Sequence, residues 1–238
     1  GVPHHLLDIL DPKEDYDASA FQLMARKKVE EVYQRERLPI LVGGTGFYIQ
    51  AMLNDIDFQE ENEEEKARIR EKLEKELKDR GSVALHEELQ KVDPLSGEAI
   101  HPHNKQKIVR ALEFFYLHNS PISEHNIQQR QKEALYDSLF LVLNRNREAL
   151  YAGIDSRVEK MFLEGLVSEV DSFYQKGYTE HSPGFKGIGY REVFPYLRGE
   201  CSLEECKALI QQNSRHYAKR QLTWFKREKN TLFVEADK

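Results

Sequence analysis

The stretch Leu38-Pro39-Ile40-Leu41-Val42-Gly43-Gly44-Thr45-Gly46-Phe47-Tyr48-Ile49-Gln50-Ala51-Met52-Leu53 decides the fold class. It opens as an apolar run of strand length, passes through a glycine turn, and resumes apolar residues at helical spacing, the pattern of a strand-to-helix turn in an α/β protein. Upstream, Phe21, Met24, Ala25, Val29 and Val32 recur near helical spacing between Ala18 and Arg35, which predicts a helix feeding a buried strand at 38–42. Downstream, Leu139-Phe140-Leu141-Val142-Leu143 is a continuous apolar run, expected as a parallel strand covered on both faces, and Thr231 to Val234 is a third strand candidate. Between the first two runs the composition changes. A charged helix is predicted over 61–80, a stop at Gly81, a short helix over 83–91 and a turn at Asp93-Pro94. The expected architecture is an α/β parallel-sheet core formed by 1–55 and 104–238, with an all-helical insertion over 56–103. Helices over 147–176 and 203–226 follow, separated by a loop at 177–189 that is rich in Gly and Pro.

The 238 residues, 39% hydrophobic and 32% charged, fit a globular chain of one large or two modest domains. No run of about 18 apolar residues is present, which excludes a membrane-spanning helix. The start at Gly1-Val2-Pro3 has no basic or apolar signal region and no initiator Met, so it is expected to be a fragment or trimmed chain. Cys201 and Cys206 offer neither a disulfide framework nor a metal-binding spacing and are expected to be reduced thiols on a surface helix. The net charge of −6 is unevenly spread: 59–65 carries five Glu, whereas 207–229 carries seven Lys or Arg against the single acid Glu228. A local basic face can bind phosphate on a net acidic protein, because exposed charges beyond about 10 Å are screened.

Five segments carry candidate chemistry. Gly43 to Gly46 presents backbone N–H groups and the Thr45 hydroxyl at a helix start, where the dipole favours anions or a polar substrate edge. A tight βα turn with no ligand is the commoner reading of the same residues, since Gly-rich turns are common in α/β folds, and no Gly-Lys-Ser/Thr follows to make a Walker loop. Gln106-Lys107-Ile108-Val109-Arg110 opens a helix over 108–116 on which Lys107 and Arg110 are neighbours, a pair that suits a phosphate backbone or a solvated basic face. His101 and His103 lack a third ligand at a metal spacing. Arg157 flanks an apolar helix face of Val158, Met161, Phe162 and Leu166 and is either an ion-pair partner or an anion clamp. Lys186-Gly187-Ile188-Gly189-Tyr190-Arg191 mixes glycines, an aromatic and cations, as stacking on a splayed RNA base with charge on its phosphates requires. In Ser214 to Phe225, Arg215 and Lys219 lie apart from the apolar stripe Ala218, Leu222 and Phe225, so one face packs and another presents positive charge.

These blocks in this order resemble the tRNA dimethylallyltransferase (isopentenyltransferase) family. The matching stretches are His5-Leu6-Leu7-Asp8 with Asp11-Pro12, Leu41 to Thr45, Ile100-His101-Pro102 through Arg110-Ala111-Leu112-Glu113, Gly189-Tyr190-Arg191-Glu192, and Tyr217 to Phe225. The resemblance implies a P-loop-kinase-like core with a helical insertion that binds tRNA. It implies transfer of a dimethylallyl group from dimethylallyl diphosphate to N6 of the adenosine 3′ to the anticodon, after that base is extruded. Carried over by position, Thr45 and Arg157 are the catalytic candidates, Thr45 near the target base and Arg157 facing the diphosphate, with Arg215 and Lys219 as weaker diphosphate contacts. Lys66, Gln106, Lys107, Ile108, Val109 and Arg110, with Lys186, Gly187, Ile188, Gly189, Tyr190 and Arg191, would contact tRNA. The family also implies Mg²⁺ held mainly by the diphosphate, the tRNA anticodon stem-loop as partner, no protein-held metal, no membrane, and a cytoplasmic monomer. Its phosphate-binding loop and general-base Asp are expected upstream of Gly1. Lys107 and Gly153 stand where the family often has Arg. Two rival readings remain at this stage, a lid-bearing nucleotide or metabolite kinase and a non-catalytic tRNA-binding module.

Overall fold

In the computed structural model, helices dominate and the sheet is small. The structure describes residues 1–58, 62–228 and 230–236, so 59–61 of the acidic run and Lys229 of the basic run lie outside the described residues. The chain divides into two compact units, one formed by 1–52 with 136–238 and the other by 53–135.

The first unit begins with helix α1 (Ala18–Tyr33), which starts where the Asp17 carboxylate accepts the Ala20 N–H at 2.9 Å. The expected strand at 38–42 does not form: the run is irregular, and Leu38, Ile40 and Val42 are exposed. A strand exists only with a hydrogen-bonded neighbour, and the two described strands pair with each other instead. Helix α2 (Gly46–Leu53) follows the glycine turn as expected.

The second unit begins beyond it. Helix α3 (Glu63–Val92) starts at Asn62, whose side chain accepts the N–H groups of Glu64 and Glu65, and three Glu in its first turn suit the helix dipole. Gly81, at φ 79 and ψ 168, interrupts it where the stop was predicted. Helix α4 (Pro94–Ala99) is capped by Asp93, α5 (Lys105–His118) by Asn104, and α6 (Ile122–Gln131) completes the unit. Leu73, Leu85 and Leu89 of α3 pack against Ile108, Val109, Ala111 and Leu112 of α5 in a closed core. The unit therefore runs past residue 103, because α5 shares that core.

Returning to the first unit, strand β1 (Phe140–Asn144) lies parallel to a strand at the chain's far end, β2 (Thr231–Glu235), with Val142 opposite Phe233. Both were expected as strands and β1 as parallel, but β1 is not covered on both faces: Val142 is buried while Leu141 and Leu143 are exposed. Helices α7 (Arg147–Leu163) and α8 (Leu166–Tyr174) replace the single helix expected over 147–176, since Gly165 takes φ 101 between them. A 3₁₀ turn at Pro183–Lys186, helix α9 (Val193–Leu197) and helix α10 (Leu203–Phe225), which opens with a Ser202–Glu205 capping box, complete the unit. Its core joins Val158, Leu166, Val170, Phe185, Val193, Phe194, Cys206 and Ile210. Cys206 is thus a core residue rather than a surface thiol, and Cys201 lies before α10.

Candidate functional site

The glycine turn is seated on α10. The Gln221 amide donates to the Gly44 carbonyl at 2.9 Å, and the Thr45 hydroxyl is 3.5 Å from the Tyr217 hydroxyl. A Cβ built on Gly46 would fall 2.2 Å from Cε3 of Trp224, and one on Gly44 1.9 Å from the Gln221 amide nitrogen. Gly46 is required here by close approach to the Trp224 ring, whereas Gly44 faces only the flexible end of Gln221. Thr45 is exposed at the start of α2, its carbonyl accepting the Tyr48 and Ile49 N–H groups. Sequence reasoning treated Tyr217, Gln221 and Trp224 as parts of a motif without assigning them this seat.

A second cluster surrounds the segment 186–191. The Glu192 carboxylate, only 4% exposed, accepts the Gly189 N–H at 2.8 Å on one oxygen, and Arg191 Nε and Asn213 Nδ2 at 2.8 Å each on the other. Its own carbonyl accepts the Cys206 thiol. Gly189 has φ 104 and rests against the Met161 methyl group. Tyr190 donates to Glu169 at 2.9 Å and sits edge-on to Phe185, so its ring is part of the packing, while Lys186, Gly187 and Arg191 are exposed and Ile188 is half-buried against the core. The Asp11-Pro12 block docks on the same region: the Gly184 N–H donates to the Pro12 carbonyl at 2.9 Å, and the Tyr178 hydroxyl donates to Asp11 at 3.1 Å.

The two candidate arginines of this unit stand differently. Arg215 of α10 is bound to Asp155 of α7 at 2.5 Å, an ion pair that ties the helices together. Arg157 is exposed and has no hydrogen bond or ion pair among the described residues. It lies one turn before Met161 on α7, hence on the flank that meets Gly189. Lys219 is exposed on α10. At Gly153 a Cβ would meet only Arg145, at 3.9 Å.

In the second unit the predicted tRNA segment splits by facing. Ile108 and Val109 are 0% and 2% exposed, so their side chains belong to the core and offer a ligand no surface. Their role is corrected to anchoring, because residues on that face of α5 must meet α3. Gln106, Lys107 and Arg110 are exposed. Arg110 donates to Glu113, which is buried, at 3.3 Å, and Lys66 lies 3.5 Å from Glu63. His101, His103, Asn104, Lys105 and Gln106 line a shallow depression at the start of α5. Among the described residues no three His, Cys, Asp or Glu side chains gather as metal ligands, and no helix is long and apolar enough to cross a membrane.

Residues 1–228 match the family model described as IPP transferase. The tRNA dimethylallyltransferase of Lachnoclostridium phytofermentans is 45% identical over 98% of this chain and 74% of its own length. The chain thus spans about three-quarters of the curated relatives it matches. The full-length tRNA isopentenylpyrophosphate transferase of Bacillus halodurans is 38% identical with a TM-score of 0.67, over 99% of this chain and 72% of that one. A eukaryotic dimethylallyltransferase acting on tRNA gives a TM-score of 0.79 at 26% identity, over 99% of this chain and 60% of the other.

Proposed function

The chain belongs to the IPP transferase family, the tRNA dimethylallyltransferases, and from that premise we propose how its residues divide the work of moving a dimethylallyl group onto tRNA. The acceptor is N6 of the adenosine 3′ to the anticodon, and the donor is dimethylallyl diphosphate. The N6 lone pair forms the new C–N bond as the allylic C–O bond breaks, diphosphate departs with that electron pair, and the N6 proton passes to a base. Developing negative charge on the diphosphate is what a preformed cation must meet. The enzyme works as a cytoplasmic monomer on a P-loop-kinase-like core, and the helical second unit carries the anticodon stem-loop.

The observation that carries the assignment is the contrast between the two arginines. Arg157 is exposed with no partner among the described residues, and its planar fork can grip a diphosphate. Arg215 is already engaged by Asp155, so it ranks, with Lys219, as a more distant contributor. Thr45, set on α10 through the glycine turn, contacts the target nucleotide, and Lys186 to Arg191 borders the RNA. Lys66, Gln106, Lys107 and Arg110 grip the anticodon-loop backbone. Mg²⁺ would travel with the diphosphate, whose oxygens supply most of its ligands, and no step above is routed through it.

The test is transfer of labelled dimethylallyl diphosphate to unmodified tRNA. In the enzyme that includes the upstream phosphate loop and general base, Arg157→Ala is expected to lower the transfer rate by about two to three orders of magnitude with little loss of tRNA affinity, as loss of one charge-stabilising donor does. Unchanged turnover would remove Arg157 from the diphosphate site.

A further inference from the structure

Glu113 is an odd residue for its position. It stands between Leu112 and Phe114 on the core-facing side of α5, is 2% exposed, and yet carries a carboxylate. A charge in such a place persists only when it is paired. It is paired twice on the same oxygen, Oε2: by NH1 of Arg110 at 3.3 Å from its own helix and by NH1 of Arg70 at 3.1 Å from α3. Both guanidiniums keep more than two-fifths of their side-chain surface in solvent. Arg70 is held further by Glu74 through Nε at 3.1 Å.

At this joint a guanidinium from each helix meets the other, with Glu63 and Glu74 paired to Lys66 and Arg70 along α3. Lys66 and Arg70 are four apart on α3, Lys107 and Arg110 are three apart on α5, and the shared carboxylate brings the rows together. Two guanidiniums drawn to one buried oxygen would repel each other without it. With it, each loses rotamer freedom before any ligand arrives, while both side chains stay in contact with solvent. This is how a flexible cation becomes a preorganised phosphate ligand.

We infer that Glu113 is a positioning residue that sets Arg70 and Arg110 as a paired grip for consecutive phosphates of an RNA backbone, and that Arg70 is a nucleic-acid contact additional to the 106–110 segment. The inference rests on the reading of the second unit as the tRNA-holding part. It requires that Glu113 raise RNA affinity although its own charge opposes RNA.

The experiment is tRNA binding to the purified protein across a salt series for Arg70→Ala, Arg110→Ala, Arg68→Ala and Glu113→Gln, each checked for folding by circular dichroism. Arg68 is exposed on α3 two positions from Arg70 and off its row, so it reports the general field alone. Arg70→Ala and Arg110→Ala should each make the log–log salt slope shallower by about one, while Arg68→Ala keeps the parent slope. Glu113→Gln should weaken binding several-fold despite the gain of one positive charge. A parent slope for Arg70→Ala beside a reduced one for Arg110→Ala overturns the inference and leaves the tRNA-holding reading intact; parent slopes for both overturn the reading itself. Equal losses from Arg68→Ala and Arg70→Ala, or tighter binding by Glu113→Gln, also overturn it. If Glu113→Gln fails to fold, Arg70→Lys decides: it keeps the charge but not the fork, so affinity equal to the parent would refute the grip.

Discussion

Replacing Glu192 tests whether a single buried carboxylate holds the loop from Lys186 to Arg191. In Glu192→Ala the buried Gly189 N–H loses its acceptor, which costs about 1–3 kcal/mol, and the half-buried Asn213 amide adds about 1 kcal/mol. Arg191, with 44% of its side chain exposed, turns to water and adds little. The expected loss is about 3 kcal/mol. Glu192→Gln should cost nearly as much although it is isosteric. One carboxylate oxygen serves Gly189 and the other serves Arg191 and Asn213, so an amide must turn its NH₂ toward donors on one side or the other. Trp224 is the only tryptophan and lies in the same unit, so its fluorescence in a urea titration reports the relevant unfolding. A Glu192→Gln midpoint equal to that of the parent would refute the argument, because it would mean the carboxylate's second oxygen is dispensable.

Three further outcomes are expected. Gly46→Ala should destabilise the first unit by about 1–3 kcal/mol, since its Cβ would overlap the Trp224 ring; a Trp224→Ala partner mutation should recover part of the loss, and strict additivity of the two in urea unfolding would argue against the contact. Burial pushes the Asp93 carboxyl up, but hydrogen bonds from Ser123 and Ser96 outweigh it and hold the group below its ordinary range. A depressed pKa contributes stability above about pH 4 that is lost as pH falls through the folded value, so Asp93→Asn should flatten the acid limb of helical circular dichroism against pH; parallel limbs would contradict this. Burial first, then the neighbouring Cys201 and Glu192, pushes the Cys206 thiol up to about 11. At pH 8 an alkylating reagent should therefore label Cys201 in the native protein and Cys206 only after unfolding, with equal labelling rates by mass spectrometry as the contrary result.

Much of the fold was legible where one local rule decided it. Gly81 stops a charged helix, and the runs at 139–143 and 231–234 become β1 and β2 because their apolar patterns had a partner in each other, whereas the Asn104 cap that starts α5 three residues before the expected 108 was not read. The run at 38–42 has the same local character and forms no strand, since pairing is a property of two segments and no composition supplies the second. The site divides along the same line. Residue types suited to phosphate and RNA could be read directly, and Arg157, Lys107 and Arg110 are exposed as that reading needs. The residues that orient them could not. Glu113 meets Arg70 from 43 positions away, and Glu192 meets Asn213 from 21, so the partner that makes burial of each charge tolerable is invisible locally. The available signal was the misfit itself, an acid set in Leu112-Glu113-Phe114 and ahead of Val193-Phe194.

The interruption at Gly81 bears on more than the length of α3. Its φ and ψ fall in a region open essentially to glycine, and nothing lies within 4 Å of where a Cβ would be, so the requirement is for direction alone. The arm before it carries Lys66 and Arg70 outward, the arm after it carries Leu85 and Leu89 into the core, and Arg80 spans the bend to Glu76 on one side and Glu88 on the other. One achiral residue thus acts as the elbow of a limb: any side chain at 81 would leave every cation in place along the arm while changing where the arm points.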